Sequence, residues 1–327
     1  MKLFINLLMA TLLTLSLNSC SNAAENSVKR TTHPKGVQQF MKTYYIGRFA
    51  IDVPAEFNLA VQRQKLRYAE LSDFMWNSAD HGEERERLWQ QRVTEIKRLP
   101  MPFDKKPIVI EVATIPSIGK WAKGILYHGD YLLTQRLFYT VLVDYTNTAV
   151  WLTIAGTNKD KMLKNFTNIL THYEPGLGLV PKDGFYLKHG KVLLPYIEQE
   201  ASYARFEGPM GMVLRVETAE IHKAPEREGI IDRTVAAMAT GFASGLDIEK
   251  IRSTKRVVTG LPGEEEILVG DDGRRKNVSF DWEYLGSVES GEQPMIQITV
   301  DTEADNLDEK IRIWDQVLKS FRPAYQH

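Results

Sequence analysis

The sequence predicts an α+β protein of two similar domains, each an antiparallel sheet packed with two helices. Three observations lead there: a helical segment that occurs twice, a strand pair ahead of each copy, and a Pro- and Gly-dense break between the copies. The segment Asn158 to Pro175 aligns without gaps, 148 residues on, with Asn306 to Pro323. Asn158 matches Asn306, Asp160 matches Asp308, Leu170 matches Leu318 and Pro175 matches Pro323. The apolar positions correspond as well: Leu163 with Ile311, Phe166 with Trp314, Ile169 with Val317, Tyr173 with Phe321. Their spacing of three and four residues sets one stripe on one helix face. Each Asn is placed to act as N-cap, Glu309 adds a capping box to the second copy, and each Pro stops the chain just beyond the helix.

Each copy follows a strand pair. Leu137 to Val143 and Ala149 to Ala155 flank the turn Asp144 to Thr148 in the first half. In the second half Val278, Phe280, Trp282 and Tyr284 alternate with Ser279, Asp281 and Glu283, and Met295 to Val300 returns. An earlier helix lies in each half: charged Glu84 to Lys97, with Leu88, Val93 and Ile96 on its narrow apolar side, and a cleaner stripe of Ile231, Val235, Met238 and Phe242. Each half opens with a strand-like run, Gly47 to Pro54 and Phe185 to Leu194. The order strand, strand, helix, several strands, helix therefore occurs twice. Antiparallel sheets covered on one face by two helices, rather than a doubly wound βαβ fold, would bury such stripes, and internal duplication would account for the repetition.

The N-terminus reads as a lipoprotein signal. Lys2 precedes an apolar run, Leu3 to Leu17, too short to span a bilayer, and Leu17-Asn18-Ser19-Cys20 resembles a lipobox whose cysteine accepts the lipid. Cys20 is the only cysteine in the 327 residues, and Ser21 stands where Asp would retain the protein at the inner membrane, so the expected location is the periplasm, lipid-anchored to the outer membrane. The domain plan is residues 1–20 signal, 21–40 polar tether, 41–175 N-terminal domain, 176–184 linker and 185–327 C-terminal domain.

Composition excludes several functions. Loss of Lys2 with the signal moves the formal net charge from −1 to −2 (−1 − 1), so no basic surface invites nucleic acid. Without a second cysteine there is no disulfide, thiolate metal site or cysteine nucleophile. The histidines are scattered, H-E-x-x-H is absent, and Asp80-His81-Gly82-Glu83-Glu84 reads as a solvated helix start. Gly241-Phe242-Ala243-Ser244-Gly245 lacks the spacing of a nucleophile elbow. Gly176-Leu177-Gly178 runs into Val180-Pro181 and cannot open a helix onto a phosphate. The acidic runs Glu264-Glu265-Glu266 and Asp271-Asp272 read as surface hairpins. No catalytic residue, cofactor or metal ligand is expected.

Several runs resemble the immunity proteins that protect Gram-negative bacteria from lipase effectors of the type VI secretion system. They are Tyr45 to Pro54, Phe185-Tyr186-Leu187, Arg256 to Glu265, Phe280 to Gly286 and Trp314 to Leu318, in this order behind a secretion signal. The resemblance implies a two-domain α+β protein of the periplasm whose partner is a cognate phospholipase effector, bound so that its substrate access is blocked. It transfers no disulfide and no interface residue to this chain. Exposed aromatics would anchor such a surface, and Trp76, Trp89 and Trp121, which lie outside the clean stripes, are the candidates. The rival readings are a lipoprotein that binds another envelope component or small ligand and, behind it, a hydrolase with an unrecognised site. Oligomeric state is not legible.

Overall fold

The computed structural model describes residues 40–178, 181–223, 228–239 and 247–325. The signal, Cys20 and nearly all of the tether lie outside the described residues, as do Phe242 and Ser244. From residue 40 onward the described chain packs as one compact unit.

A hairpin of β1 (Met41–Ile46) and β2 (Phe49–Pro54) opens the chain. Then follow β3 (Asn58–Leu66), β4 (Ala69–Met75), α1 (Gly82–Lys97), β5 (Val109–Thr114), β6 (Trp121–His128), β7 (Leu137–Asp144), β8 (Thr148–Gly156) and α2 (Lys159–Thr171). β9 (Tyr173–Pro175) ends this half. The second half repeats the order: a hairpin of β10 (Phe185–Tyr186) and β11 (Gly190–Val192), then β12 (Glu200–Glu207), β13 (Val213–Ala219), α3 (Ile230–Ala239), β14 (Asp247–Val258), β15 (Leu261–Asp271), β16 (Lys276–Tyr284), β17 (Met295–Glu303), α4 (Leu307–Ser320) and β18 (Arg322–Pro323).

One antiparallel sheet of twelve strands runs through both halves, in the order β14-β15-β16-β17-β13-β12-β3-β4-β8-β7-β6-β5. This corrects the expectation of one sheet per domain. β3 and β12 pair from Asn58↔Glu207 to Leu66↔Glu200, so the strand that would have been an edge of each half meets the other, and neither edge is left unpaired. Read outward from that central pair, the strand order is β3-β4-β8-β7-β6-β5 on one side and β12-β13-β17-β16-β15-β14 on the other, the same sequence of elements in each half.

The inner face of the sheet carries α2 and α4. Phe166 and Trp314 are fully buried in the two main cores, one in each half. Asn158 caps α2 as expected, its side chain accepting from Lys161 N. Asn306 does not cap α4 with its side chain: it lies in the left-handed region at φ 49°, and its backbone carbonyl takes Glu309 N and Lys310 N. Met162, rather than Leu163, turns inward on α2. Its aligned partner Lys310 is equally buried, with Nζ on the Glu303 carbonyl at 2.8 Å and Asp305 Oδ1 at 2.5 Å.

The opening hairpins are exchanged. β2 pairs with β18 at the far end of the chain, and Phe49, Ile51 and Val53 join the core of the C-terminal half, Phe49 stacking on Phe321 at 5.1 Å. Conversely β11 pairs with β9, and Phe185, Leu187 and Val192 join the core of the N-terminal half. The two small sheets meet where Gly47 N–H donates to the Tyr186 carbonyl and Tyr186 N–H to the Gly47 carbonyl, at 3.2 and 2.8 Å. Gly47 has φ +62°, and a Cβ there would lie 2.4 Å from Ser202 Oγ, so no other residue fits the junction. Beside it, Arg48 forks onto buried Glu200 with two 2.7 Å bonds. The sequence boundary near residues 176–184 therefore does not divide the cores. Its first two residues are held down, with buried Lys191 Nζ donating to the Gly176 and Leu177 carbonyls.

Candidate interaction surface

The two helices of each half take opposite faces of the sheet, which corrects the expectation that both cover one face, and the outer face differs between the halves. Over the N-terminal half, α1 places Trp89, Val93 and Ile96 on one side by spacings of four and three, and buries them against Trp76, Ile125, Tyr127, Leu142 and Ala149. His81, at the helix N-cap position, is buried. Its ring stacks on Trp76 at 4.6 Å, and its Nε2 lies 2.9 Å from Asp144 Oδ2. Arg85 Nη1 donates to the same oxygen at 2.6 Å, while Trp76 Nε1 and Thr146 N donate to Oδ1. Burial raises the Asp144 carboxyl, but the hydrogen bonds from His81, Arg85, Thr146 and Trp76 outweigh it and hold the group below the ordinary aspartate range. The acidic-histidine cluster at 80–84 is thus a helix start pinned by a carboxylate sixty residues away in sequence.

Trp76 and Trp89 are 8% and 2% exposed, which corrects their candidacy as exposed anchors: both seal the apolar layer beneath α1. Trp121 is only partly buried. The Arg85 guanidinium sits 4.8 Å from its ring centroid and Lys123 Nζ 5.2 Å, while Arg92 covers Trp151 at 5.3 Å. Of the three candidates Trp121 alone is not fully buried, and its flanking cations are themselves paired, Arg85 with Asp144 and Lys123 with Glu86.

Over the C-terminal half the same face is acidic. Glu264 pairs across from Glu283, and Glu266 from Asp281, so four carboxylates share one face of β15 and β16. α3 rests on them through Arg233 Nη1 to Glu283 at 2.9 Å, Ile231 N to Glu264 at 3.1 Å, and a short bond from Thr234 Oγ1 to Glu266. Its predicted stripe is not buried: Val235 is half exposed, and no α3 residue is fully covered, because the surface beneath offers charge rather than hydrocarbon. Burial, with repulsion from Asp301, Glu266 and Glu283, pushes the Asp281 carboxyl up to about 7 against a hydrogen bond from Ser279.

The run Glu264-Glu265-Glu266 is therefore strand, not a surface hairpin. Glu265 faces inward, where it accepts from Trp314 Nε1 at 2.6 Å and from Arg252 and Arg256 at 2.9 and 2.8 Å, locking α4 to the sheet. Asp271 ends β15 and Asp272 opens the turn after it, Asp271 Oδ1 accepting from Gly273 N and Asp272 Oδ1 from Arg274 N and Arg275 N. Among the described residues no group of three His, Cys, Asp or Glu is arranged to hold a metal. No helix among them is long and apolar enough to cross a membrane.

Sequence reasoning missed a third feature. The connections α1–β5 and β6–β7 expose Met101, Phe103, Tyr131, Leu132 and Leu133, with Phe103 and Leu132 more than 70% accessible. The signal was available: Leu99-Pro100-Met101-Pro102-Phe103 is apolar yet too rich in proline to enter a helix or central strand.

The fold and these surfaces define a single-sheet protein built from two halves of like strand order. Residues 182–324, just under half of the chain, match the family of the Tle cognate immunity protein 4 C-terminal domain. Three solved structures share the fold of nearly the whole body. The apo immunity protein TplEi of the T6SS from Pseudomonas aeruginosa superposes with TM-score 0.69 at 17% identity, over 87% of this chain and 97% of its own. The Tle4–Tli4 complex gives 0.67 at 18%, over 87% and 97%. TplEi of Pseudomonas aeruginosa complexed with an "L" peptide gives 0.66 at 16%, over 87% and 98%. No curated protein sequence matches the chain.

Proposed function

We propose that this chain is an immunity protein that binds a cognate type VI secretion phospholipase effector in the periplasm and blocks its substrate access without chemistry of its own. The observation that carries the reading is the family match of residues 182–324, joined to a fold shared along 87% of the chain with a protein crystallised in a Tle4–Tli4 complex. Rigidity suits an inhibitor, because a preorganised surface gives up little ordering entropy on binding. The twelve-stranded sheet and exchanged hairpins supply it.

Cys20 is the proposed lipid attachment site, residues 1–20 the signal and the outer membrane the destination. We further read the shared strand order and the 158–175/306–323 correspondence as the result of internal duplication, with 41–175 and 185–327 as its two units. Trp121, flanked by Arg85 and Lys123, is the proposed aromatic anchor for the effector.

The test is titration of the mature protein against the lipase encoded beside its gene. Inhibition at near-stoichiometric amounts is expected, through an interface on the order of 2,000 Å² or more and nanomolar affinity or tighter. The protein alone should hydrolyse no phospholipid. Absence of binding to that lipase would turn the reading to an envelope-binding lipoprotein.

A further inference from the structure

We infer that the paired loops at 99–107 and 129–136 form a membrane-contact surface that seats the folded body on an anionic phospholipid bilayer. The surface is built, not incidental. Asp130 Oδ1 accepts from Leu132 N and Leu133 N at 3.0 Å each, a turn that turns both leucines outward. Phe103 N donates to the Tyr131 carbonyl at 3.0 Å, tying the loops side by side, and Lys105 N closes the first loop on the Pro102 carbonyl at 2.8 Å. Phe103 and Tyr131 meet edge to face at 6.2 Å.

The chemistry selects the partner. Exposed Phe, Leu and Met tips beside a tyrosine are the side chains that enter a headgroup–acyl boundary, and Lys105, Lys106 and Arg136 are all exposed around them. The two acids present are already engaged: Asp104 pairs with Lys106 at 2.9 Å, and Asp130 holds its own turn. With Lys106 matched to Asp104, Lys105 and Arg136 are the cations left beside the apolar tips, complementary to anionic lipid. The fold does not demand this, since the β15–β16 turn at the equivalent place in the other half is Asp272-Gly273-Arg274-Arg275, without an apolar residue. The inference goes beyond effector binding and does not depend on it.

The experiment uses the mature chain carrying Cys20→Ser, so that no lipid anchor contributes, and vesicles of phosphatidylethanolamine with one quarter phosphatidylglycerol. The protein is expected to sediment with the vesicles. The triple variant Phe103→Ser, Leu132→Ser, Leu133→Ser should partition at least tenfold more weakly with an unchanged melting temperature, and Leu132→Ser alone should show a partial loss if the triple variant folds poorly. Lys105→Glu with Lys106→Glu should weaken binding most at low salt. Failure of the parent to bind vesicles, or equal binding by the serine variants, overturns the inference. So does loss of effector affinity in variants of a parent that ignores vesicles, or self-association of the parent that the same variants abolish; each would assign the patch to protein contact.

Discussion

The two halves share a strand order and differ in what covers their outer face. In the N-terminal half α1 buries Trp89, Val93 and Ile96 on an apolar layer, whereas in the C-terminal half α3 stands on Glu264, Glu266, Asp281 and Glu283 with nothing fully buried. On the inner face the halves agree: Phe166 and Trp314 are both completely enclosed. The lesson is that one sealed face is enough to hold such a sheet, so the other face is free to diverge in chemistry.

The strongest way to break this comparison is to empty the two inner cores in turn. Phe166→Ala and Trp314→Ala should each cost about 3–5 kcal/mol in urea unfolding. If one of them costs under about 1 kcal/mol, the aligned positions are not energetically equivalent.

The outer faces are separated by pH. Asp281 is raised to about 7, well above an unfolded aspartate. Between about pH 4 and pH 7 the unfolded chain loses this proton while the folded chain keeps it, so its contribution to stability falls as pH rises through that window and is constant above it. Asp281→Asn should therefore leave stability near pH 4 almost unchanged and raise it by about 2 kcal/mol at pH 8, the partial exposure of the site discounting the full shift. Thermal melts at the two pH values measure the difference, and a constant offset between variant and parent would refute the assignment.

The finest test lies at the aligned pair Met162 and Lys310. If the environments are equivalent, Lys310→Met should change stability by less than about 1 kcal/mol, since it removes a buried charge along with its hydrogen bonds, while Lys310→Ala should cost about 2–4 kcal/mol through the cavity it leaves. A methionine variant as unstable as the alanine variant would show that the ammonium, not the volume, is what the site requires.

Local signals survived into the structure where they answer to local physics. α2 begins at Asn158 because one side chain can satisfy one free N–H, and its stripe buries Phe166 and Ile169 as the spacing requires. The α4 capping box failed because Asn306 turned left-handed and its side chain went to Asp305 instead. The stripe of α3 misled because periodicity reports what a helix could bury, not what its neighbour offers. Nothing in residues 58–66 announces pairing with 200–207, and nothing in the opening hairpins announces exchange, since both contacts are set by surfaces assembled from distant segments. Trp76 and Trp89 were legible both as core residues and as anchor candidates, and burial decides for the core. The family resemblance was legible in short runs such as Phe280 to Gly286, which lie within the matched residues 182–324 and place Phe280 and Trp282 in the core of this half.

The hairpin exchange makes this a chain that closes only at its last turn. Phe49, Ile51 and Val53 emerge early in synthesis, but the surface that covers them includes α4, and β2 gains its outer neighbour only with Arg322 and Pro323. Asp52 waits likewise for Ser320 and for Arg322, which meets both of its carboxylate oxygens at 3.0 Å. A chain cut before α4 would carry its first hairpin unmatched, with Phe49, Ile51 and Val53 uncovered, a ready substrate for proteases.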